Sequence, residues 1–240
     1  MKITSIDIEK IIKLFGKQQR IFQKEAQFQF ELAWELQKQL GEDGKVILEY
    51  NSCVRKPDDA THQKRKRFYS DIIIKDNDNN YIVIELKYKT KGDNCYNVEL
   101  TEQGAPDEGR YDYLWDVRRI ELLKNRDCRN YDYNKHLGKF LGGYAILLTN
   151  ENQYWERTRK KATTSGKETV DIQFSIGHGD KVNGTVDWQT DTPKDWMLSR
   201  PAITFDHPYV FEWNPYYNTR KTTSKGRTLE FRYLITKIDS

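Results

Sequence analysis

Residues 69 to 89 have the sequence YSDIIIKDNDNNYIVIELKYK, in which two apolar runs of strand length flank the polar segment DNDNN. Asp and Asn tolerate turn conformations, so the stretch predicts an antiparallel hairpin with strands at 70–75 and 81–88. Each strand nevertheless contains an acidic residue, Asp71 in the first and Glu85 in the second. Because a core strand favours Val or Ile at such positions, the two carboxylates indicate a functional site.

The predicted pairing brings these two carboxylates together. If the hairpin is symmetric about Asp78, Asp71 lies directly opposite Glu85, with Cβ atoms about 4.5 to 5.5 Å apart, and like charges so placed favour a cation between them. Mg²⁺ takes hard oxygen ligands and keeps several waters, so the pair predicts a magnesium site. Lys87 projects from the same face as Glu85, where it could hold or deprotonate an attacking water, or neutralise charge on phosphorus.

The residues SD at 70 and 71, followed after thirteen positions by ELK at 85 to 87, resemble the motif of the PD-(D/E)XK nuclease superfamily, which has the restriction-endonuclease-like fold. The resemblance implies that Asp71 and Glu85 bind the metal and that the Leu86 carbonyl completes its shell. It also implies that Lys87 is the catalytic lysine. Mg²⁺ is the expected cofactor, and Mn²⁺ can substitute for it. Ser70 stands where the family's proline would be.

The superfamily often recruits a further acidic residue from the helix before the hairpin. Glu31 is the preferred catalytic candidate here, because it lies ten residues before Gly41, where the predicted helix ends. A solvated helix face would also explain Glu31. Three other acids remain alternatives: Glu25, Glu35 and Glu49.

The order of predicted elements indicates an α/β protein with a mixed central sheet flanked by helices. The elements are helices at 5–15, 18–40 and 110–124 and strands at 45–50, 70–75, 81–88 and 144–150. Across residues 18–150 this order resembles the restriction-endonuclease-like core. We expect residues 1–150 to form the nuclease core with its N-terminal helices. Residues 151–240 are expected to be a strand-rich C-terminal extension of the same domain with a substrate-binding role, with strands near 170–176, 201–206, 208–213 and 228–238.

Charge, cysteine spacing, hydrophobicity and missing motifs argue against several other classes of protein. The chain has 240 residues and a formal net charge of +4, which by itself identifies no partner. Its three cysteines form no C-x-x-C pair, which favours the reducing cytoplasm over a disulfide framework or a zinc knuckle. Charges interrupt the N-terminal segment and no apolar run approaches the ~20 residues of a membrane span, so we expect no membrane partner. The P-loop, GxGxxG and GxSxG motifs are absent, which argues against ATP motors, dinucleotide enzymes and α/β hydrolases.

Residues around the hairpin are candidates for contacting nucleic acid, since contacts between basic side chains and phosphates are salt-sensitive and independent of sequence. These candidates are Arg55, Lys64, Arg65, Arg67, Gln103 and Arg110. A surface loop explains the basic run at 64–67 equally well. The segment YVFEWNPYY at 209–217 could stack bases, although core packing of Phe211 and Trp213 is the favoured interpretation.

Together these features predict a metal-dependent nuclease, a DNA endonuclease of a restriction, repair or anti-phage defence type. The resemblance implies hydrolysis that leaves a 5′-phosphate and a 3′-hydroxyl. A homodimer is compatible with double-strand cutting. The alternative is a non-catalytic nucleic-acid-binding module of nuclease fold. A third interpretation is an interaction scaffold in which the hairpin charges are surface ion pairs, with Glu85 pairing with Lys87 or Lys89 at a sheet edge.

Overall fold

The structure, a computed structural model, describes residues 3–52, 69–95, 98–125, 137–156, 171–190, 192–222 and 228–240. Its helices are α1 (Ile8–Lys17), α2 (Glu25–Leu40), α3 (Pro106–Lys124) and α4 (Lys194–Ser199). Its longer strands are β1 (Gly44–Asn51), β2 (Tyr69–Asp76), β3 (Tyr81–Lys89), β6 (Phe140–Thr149), β11 (Trp213–Thr222) and β12 (Thr228–Asp239). Its short strands are β4 (Asp93–Cys95), β5 (Val98–Leu100), β7 (Lys181–Val182), β8 (Thr185–Val186), β9 (Ile203–Thr204) and β10 (Tyr209–Val210).

A six-stranded mixed sheet organises the fold, with the strand order β1-β2-β3-β6-β12-β11. The first three strands form an antiparallel meander, and β6 then pairs in parallel with β3. β12 and β11 continue the sheet in antiparallel order beyond β6. The predicted α/β class with a mixed sheet flanked by helices is therefore confirmed. The short strands form separate two-stranded ribbons, β4 with β5, β7 with β10 and β8 with β9.

Alternation along β2 and β3 divides the core between the two faces of the sheet. Ile72 and Ile84 pack in one apolar cluster with α1 and α2, whereas Ile73 and Val83 pack in the other with α3. Strand β3 lies between β2 and β6 and is covered on both faces, so its residues from 81 to 86 are all buried. Glu85, the charged residue within this run, consequently lies inside the protein.

Helix boundaries differ from the predictions at their N-terminal ends. Helix α1 begins at Ile8, where the Asp7 side chain accepts a hydrogen bond from the Lys10 N–H and caps the first turn. Helix α2 begins at Glu25 rather than near 18, and its buried stripe is Phe28, Leu32, Leu36 and Leu40. The helical spacing of Phe22, Ala26 and Phe30 predicts that Phe30 belongs to the buried stripe, but Phe30 is 59% exposed. The face of α2 that packs on the sheet therefore contains Phe28 and not Phe30.

The C-terminal half contributes strands to the central sheet as well as irregular structure. The strand predicted at 228–238 is confirmed as β12. The strand predicted near 170–176 is wrong, because the described part of it contains a short 3-10 helix, Ile172–Phe174. Phe211 and Trp213 are buried, and the Trp213 indole N–H donates to the Ile176 carbonyl, so both belong to the core. Among the described residues, no helix is long and apolar enough to cross a membrane.

Candidate active site

The β2–β3 hairpin has the predicted register as far as its ladder extends. Ile73 pairs with Val83 and Ile72 with Ile84, and the next residues in this register are Asp71 and Glu85. The ladder pairs end just before the two acids. Asp71 instead accepts a hydrogen bond from the Leu86 N–H through Oδ2, at 2.6 Å. The carboxylate of Asp71 thus lies where the two strands stop pairing.

Glu85 is buried under α3. It is 1% exposed, and its Oε2 lies 2.5 Å from the Arg119 guanidinium. Arg119 also donates to the Tyr69 carbonyl at 2.8 Å, which ties α3 to β2. Because β3 is an interior strand and Glu85 pairs with Arg119, the interpretation of Glu85 as half of an exposed edge-strand pair is wrong. Among the described residues, Glu85 Oε1 is buried without a hydrogen-bond partner.

Lys87 lies on the same face of β3 as Glu85 and contacts a second residue of α3. Its ammonium is 2.6 Å from Asp116 Oδ2 and 3.2 Å from the Leu86 carbonyl. Asp116 is in turn 3.2 Å from Arg119 through Oδ1. Asp71, Glu85 and Lys87 therefore meet a continuous charged network on the α3 side of the sheet.

Burial shifts the protonation of both acids in the same direction. Desolvation raises the pKa of Asp71 to about 6, with the charges of Lys87 lowering it and Asp116 raising it. Desolvation also raises the pKa of Glu85 well above its usual range, despite the neighbouring Arg119. Desolvation lowers the pKa of Lys87, but the carboxylates around it, Asp116 foremost, outweigh this and raise the pKa above its usual value. The protein thus disfavours the ionised form of both acids, whereas it favours the protonated form of Lys87.

The donor set is of the kind that a hard divalent cation takes. Asp71, Glu85 and the Leu86 carbonyl would supply oxygen ligands to such a cation, and Glu85 Oε1 is a buried oxygen without a hydrogen-bond partner among the described residues. Within the described ranges, no three or more His, Cys, Asp or Glu side chains form a group that could hold a metal ion by themselves. Waters and substrate oxygens would therefore have to supply the remaining positions, as they commonly do for Mg²⁺.

Comparisons with protein-family models, with curated proteins and with solved structures find no match to this chain.

The acids of α2 are distributed differently from the prediction. Glu31, the preferred candidate, pairs with Arg20 at 2.9 Å and accepts a hydrogen bond from Gln27. Glu25 accepts from the Tyr88 N–H of β3 at 2.7 Å, and its charge acts on Asp71 and Lys87. The structure therefore places Glu25, rather than Glu31, beside the cluster. The reason is the start of α2 at residue 25, which brings its first turn against the end of β3.

The two remaining alternatives lie outside the cluster. Glu35 pairs with Lys38, one turn along α2, at 3.0 Å. Glu49 is exposed and accepts from Gln29, whose side-chain amide also donates to the Asp71 carbonyl at 2.8 Å. Glu49 consequently reaches the hairpin only through Gln29.

Of the residues predicted to contact nucleic acid, the structure describes Arg110 and Gln103. Arg110 is 7% exposed, pairs with Asp171 and donates to the Gln153 carbonyl, so its guanidinium belongs to a buried ion pair and not to a binding surface. Its position on the buried side of α3, which the sequence did not resolve, explains this correction. Gln103 lies half-buried in the loop before α3, and its N–H donates to the Thr90 carbonyl. The other candidates fall outside the described residues: Arg55, Lys64, Arg65 and Arg67.

Sequence reasoning missed Asp116 and did not predict that Arg119 pairs with Glu85. A signal for Asp116 was present, because it adjoins the apolar repeat of Tyr113, Val117 and Ile120 along α3. A carboxylate on the buried face of a helix needs a charged or hydrogen-bonding partner. The identity of that partner depends on how α3 packs on β3, which the local pattern does not specify.

Proposed function

We propose that the protein is a Mg²⁺-dependent nuclease whose active site contains Asp71, Glu85 and Lys87, with DNA as the foremost substrate and endonucleolytic cleavage as the reaction. The observation that carries this proposal is the presence of the half-buried Asp71 carboxylate, the buried Glu85 carboxylate and the Lys87 ammonium on one face of β2 and β3. Buried charges of this kind are costly, and clusters of them with shifted pKa values are typical of functional sites.

The charge balance of the cluster supports a divalent cation. Among the described residues, five carboxylates lie around two cations, so the fully ionised cluster has a formal charge of −3. The carboxylates are those of Glu25, Asp71, Glu85, Asp112 and Asp116, and the cations are Lys87 and Arg119. One Mg²⁺ or Mn²⁺ would offset most of this charge and relieve the repulsion that, together with desolvation, raises the pKa of Asp71 and Glu85.

The element order supports a restriction-endonuclease-like fold as part of the proposal. From α2 to β6 the order is a helix, three antiparallel strands, the short β4–β5 ribbon, a second helix and a strand parallel to the third. The resemblance of SD and ELK to the PD-(D/E)XK motif falls on the second and third of these strands. The sequence resemblance and the strand order therefore point to the same interpretation.

In the proposed reaction the chain's own residues bind and orient. A bound Mg²⁺ would supply charge that polarises the scissile phosphate and lowers the pKa of a water ligand. Asp71 and Glu85 would hold the cation through carboxylate oxygens, and the Leu86 carbonyl would add a third ligand. Lys87, kept protonated beside Asp116, would orient the water and offset negative charge on the phosphoryl group rather than act as a base.

The second candidate is a non-catalytic nucleic-acid-binding module. It is favoured by the two ion pairs that already occupy the cluster, Glu85 with Arg119 and Lys87 with Asp116. Such pairs could hold α3 on the sheet without any metal. The two candidates differ in whether a divalent cation binds at Glu85 and whether a phosphodiester bond is broken.

Cleavage assays separate these candidates. Purified protein is incubated with supercoiled plasmid, single-stranded DNA or RNA in Mg²⁺, Mn²⁺ or EDTA. We expect metal-dependent cleavage that Glu85→Gln and Lys87→Ala each reduce at least about 100-fold, because Glu85 would hold the cation and Lys87 would orient the attacking water. Lys89→Ala, two positions along the same strand, and Glu31→Gln serve as matched controls that retain activity. Binding without cleavage of any substrate by the wild-type protein would support the module instead.

A further inference from the structure

Helix α3 carries an acidic and a basic residue three positions apart. Each of them pairs with a residue of opposite charge in the proposed catalytic set. Asp116 contacts the Lys87 ammonium at 2.6 Å, and Arg119 contacts Glu85 Oε2 at 2.5 Å. The two are also joined to each other at 3.2 Å. Positions i and i+3 lie on the same side of a helix, which is why a single turn reaches both catalytic side chains.

We propose that Arg119 is a built-in counter-cation that shares Glu85 with the divalent metal, and that Asp116 opposes it, so that this pair sets the metal concentration at which the site fills. The inference rests on the proposed function, because it assumes that Glu85 is a metal ligand. Asp116 and Arg119 are positioning residues here, since neither is assigned a contact with metal or substrate.

The contacts of Arg119 explain why it does not simply give way to the metal. Its guanidinium is anchored to the Tyr69 carbonyl at 2.8 Å as well as to Asp116, so it is held from β2 and from its own helix. It occupies Glu85 Oε2 and leaves Oε1 without a hydrogen-bond partner among the described residues. A cation bound at Oε1 would therefore lie near a fixed positive charge, and buried charges are screened far less than exposed ones.

Charge makes the two substitutions act in opposite directions. For an ionised Glu85, removing the charge of Arg119 deletes a repulsion felt by the metal and should tighten metal binding. Removing the charge of Asp116 deletes an attraction and leaves Lys87 without its closest counter-ion, which should weaken metal binding. If the pair served only to pack α3 on the sheet, both substitutions would loosen the site and weaken metal binding together. The opposite signs distinguish the proposed role from a merely structural one.

Isothermal titration of the full-length chain with Mn²⁺ alone tests this inference. We expect Arg119→Gln to bind Mn²⁺ about tenfold or more tightly and Asp116→Asn about tenfold or more weakly than wild type. Arg119→Lys, which keeps the charge, should stay within about threefold. The matched control is Arg118→Gln, because Arg118 is the neighbouring residue of α3 and pairs with Glu121 and Asp206 outside the cluster.

The outcomes are distinguishable. Unchanged or weaker Mn²⁺ binding by Arg119→Gln, with its folding verified by circular dichroism, would overturn the inference. If Arg119→Gln does not fold, Arg119→Met takes its place as the uncharged variant: tighter binding supports the inference, and unchanged or weaker binding overturns it. Failure of the proposed function would give a different result. The wild-type protein would then bind no Mn²⁺, or Glu85→Gln would bind Mn²⁺ as tightly as the wild type. In that case the inference is overturned along with the proposed function.

Discussion

Asp71 is a half-buried acid and Glu85 a buried one, and their partners differ. Asp71 accepts a backbone N–H from Leu86, whereas Glu85 faces the guanidinium of Arg119. A neutral amide can accept the same backbone hydrogen bond as Asp71. At Glu85, loss of charge would leave Arg119 with one anionic partner fewer in a buried setting. The metal-free protein should therefore tolerate neutralisation at position 71 better than at position 85.

We predict that Asp71→Asn stabilises the metal-free protein by about 1 to 3 kcal/mol at pH 8. The pKa of Asp71 is raised to about 6, so at pH 8 the folded state holds a carboxylate that the unfolded chain would ionise more easily. The stability that this group contributes is present below its unfolded pKa and is lost as the pH rises through about 6, and asparagine has no such charge. Urea denaturation in EDTA measures the change, with Glu85→Gln as the comparison. Lower stability of Asp71→Asn than of wild type would contradict the prediction.

At the level of single residues, the alternation of side chains along the hairpin strands was sufficient to identify the three central side chains of the candidate site. Asp71, Glu85 and Lys87 follow from the period of two along the hairpin strands. The choice between Glu25 and Glu31 did not follow, because it depends on where α2 begins. Nor did the pairing of Glu85 with Arg119, because the two residues lie 34 positions apart and meet only through packing of α3.

The phase of α2 is the clearest difference between the predicted and observed elements. Phe28 is fully buried and packs against Phe22, with ring centroids 5.0 Å apart. Phe30 lies on the outer face of the helix beside Trp34, with ring centroids 6.4 Å apart. Aromatic residues at both positions fit a helix, so composition alone does not choose the buried one. The choice is made by the contacts of α2 with β2 and β3.

We predict that Phe28→Ala destabilises the protein by about 3 to 5 kcal/mol, because it removes a fully buried ring. The matched substitution Phe30→Ala should cost less than about 1 kcal/mol, since most of that ring is already in water. Chemical denaturation of both variants measures the difference. Equal losses, or a larger loss at Phe30, would show that α2 packs with the other phase.

Helix α3 packs closely against β6, and this contact fixes the position of α3 relative to the site. A Cβ added at Gly143 would lie 2.2 Å from Ile120 Cγ2, so the helix packs directly on the glycine backbone. Asp116 lies one turn before Ile120 on the same helix. A displacement of α3 at Gly143 should therefore propagate to the contacts that Asp116 makes with Lys87.

We predict that Gly143→Ala destabilises the protein by about 1 to 3 kcal/mol through overpacking. Ile120→Ala in the same chain removes the clashing methyl group, so the loss of stability in the double variant should be smaller than the sum of the two single losses. A double-mutant cycle measures this coupling. Gly104→Ala is the control, since a Cβ there would meet no atom within 4 Å. Additive effects of Gly143→Ala and Ile120→Ala would contradict the proposed contact.

At the scale of the whole molecule, the central sheet is assembled from both halves of the chain. Local patterns predicted β6 and β12 as strands but not that they are neighbours, since pairing between distant strands depends on long-range packing. The parallel pairing of β3 with β6 was implicit in the order strand, helix, strand. Strands were predicted near 201–206 and 208–213, where β9 and β10 lie, but β7, β8 and the pairing of the two ribbons were not predicted, because two-residue strands carry no periodic signal.

The central proposal is a divalent-metal site between Asp71 and Glu85, and anomalous diffraction from crystals soaked in Mn²⁺ tests it most directly. We predict an anomalous peak within about 2.5 Å of carboxylate oxygens from both residues, consistent with direct coordination by hard oxygen ligands. The peak should disappear in crystals of Glu85→Gln. Wild-type crystals without a peak at this cluster, or Glu85→Gln crystals with an unchanged one, would contradict the metal site and the nuclease that depends on it.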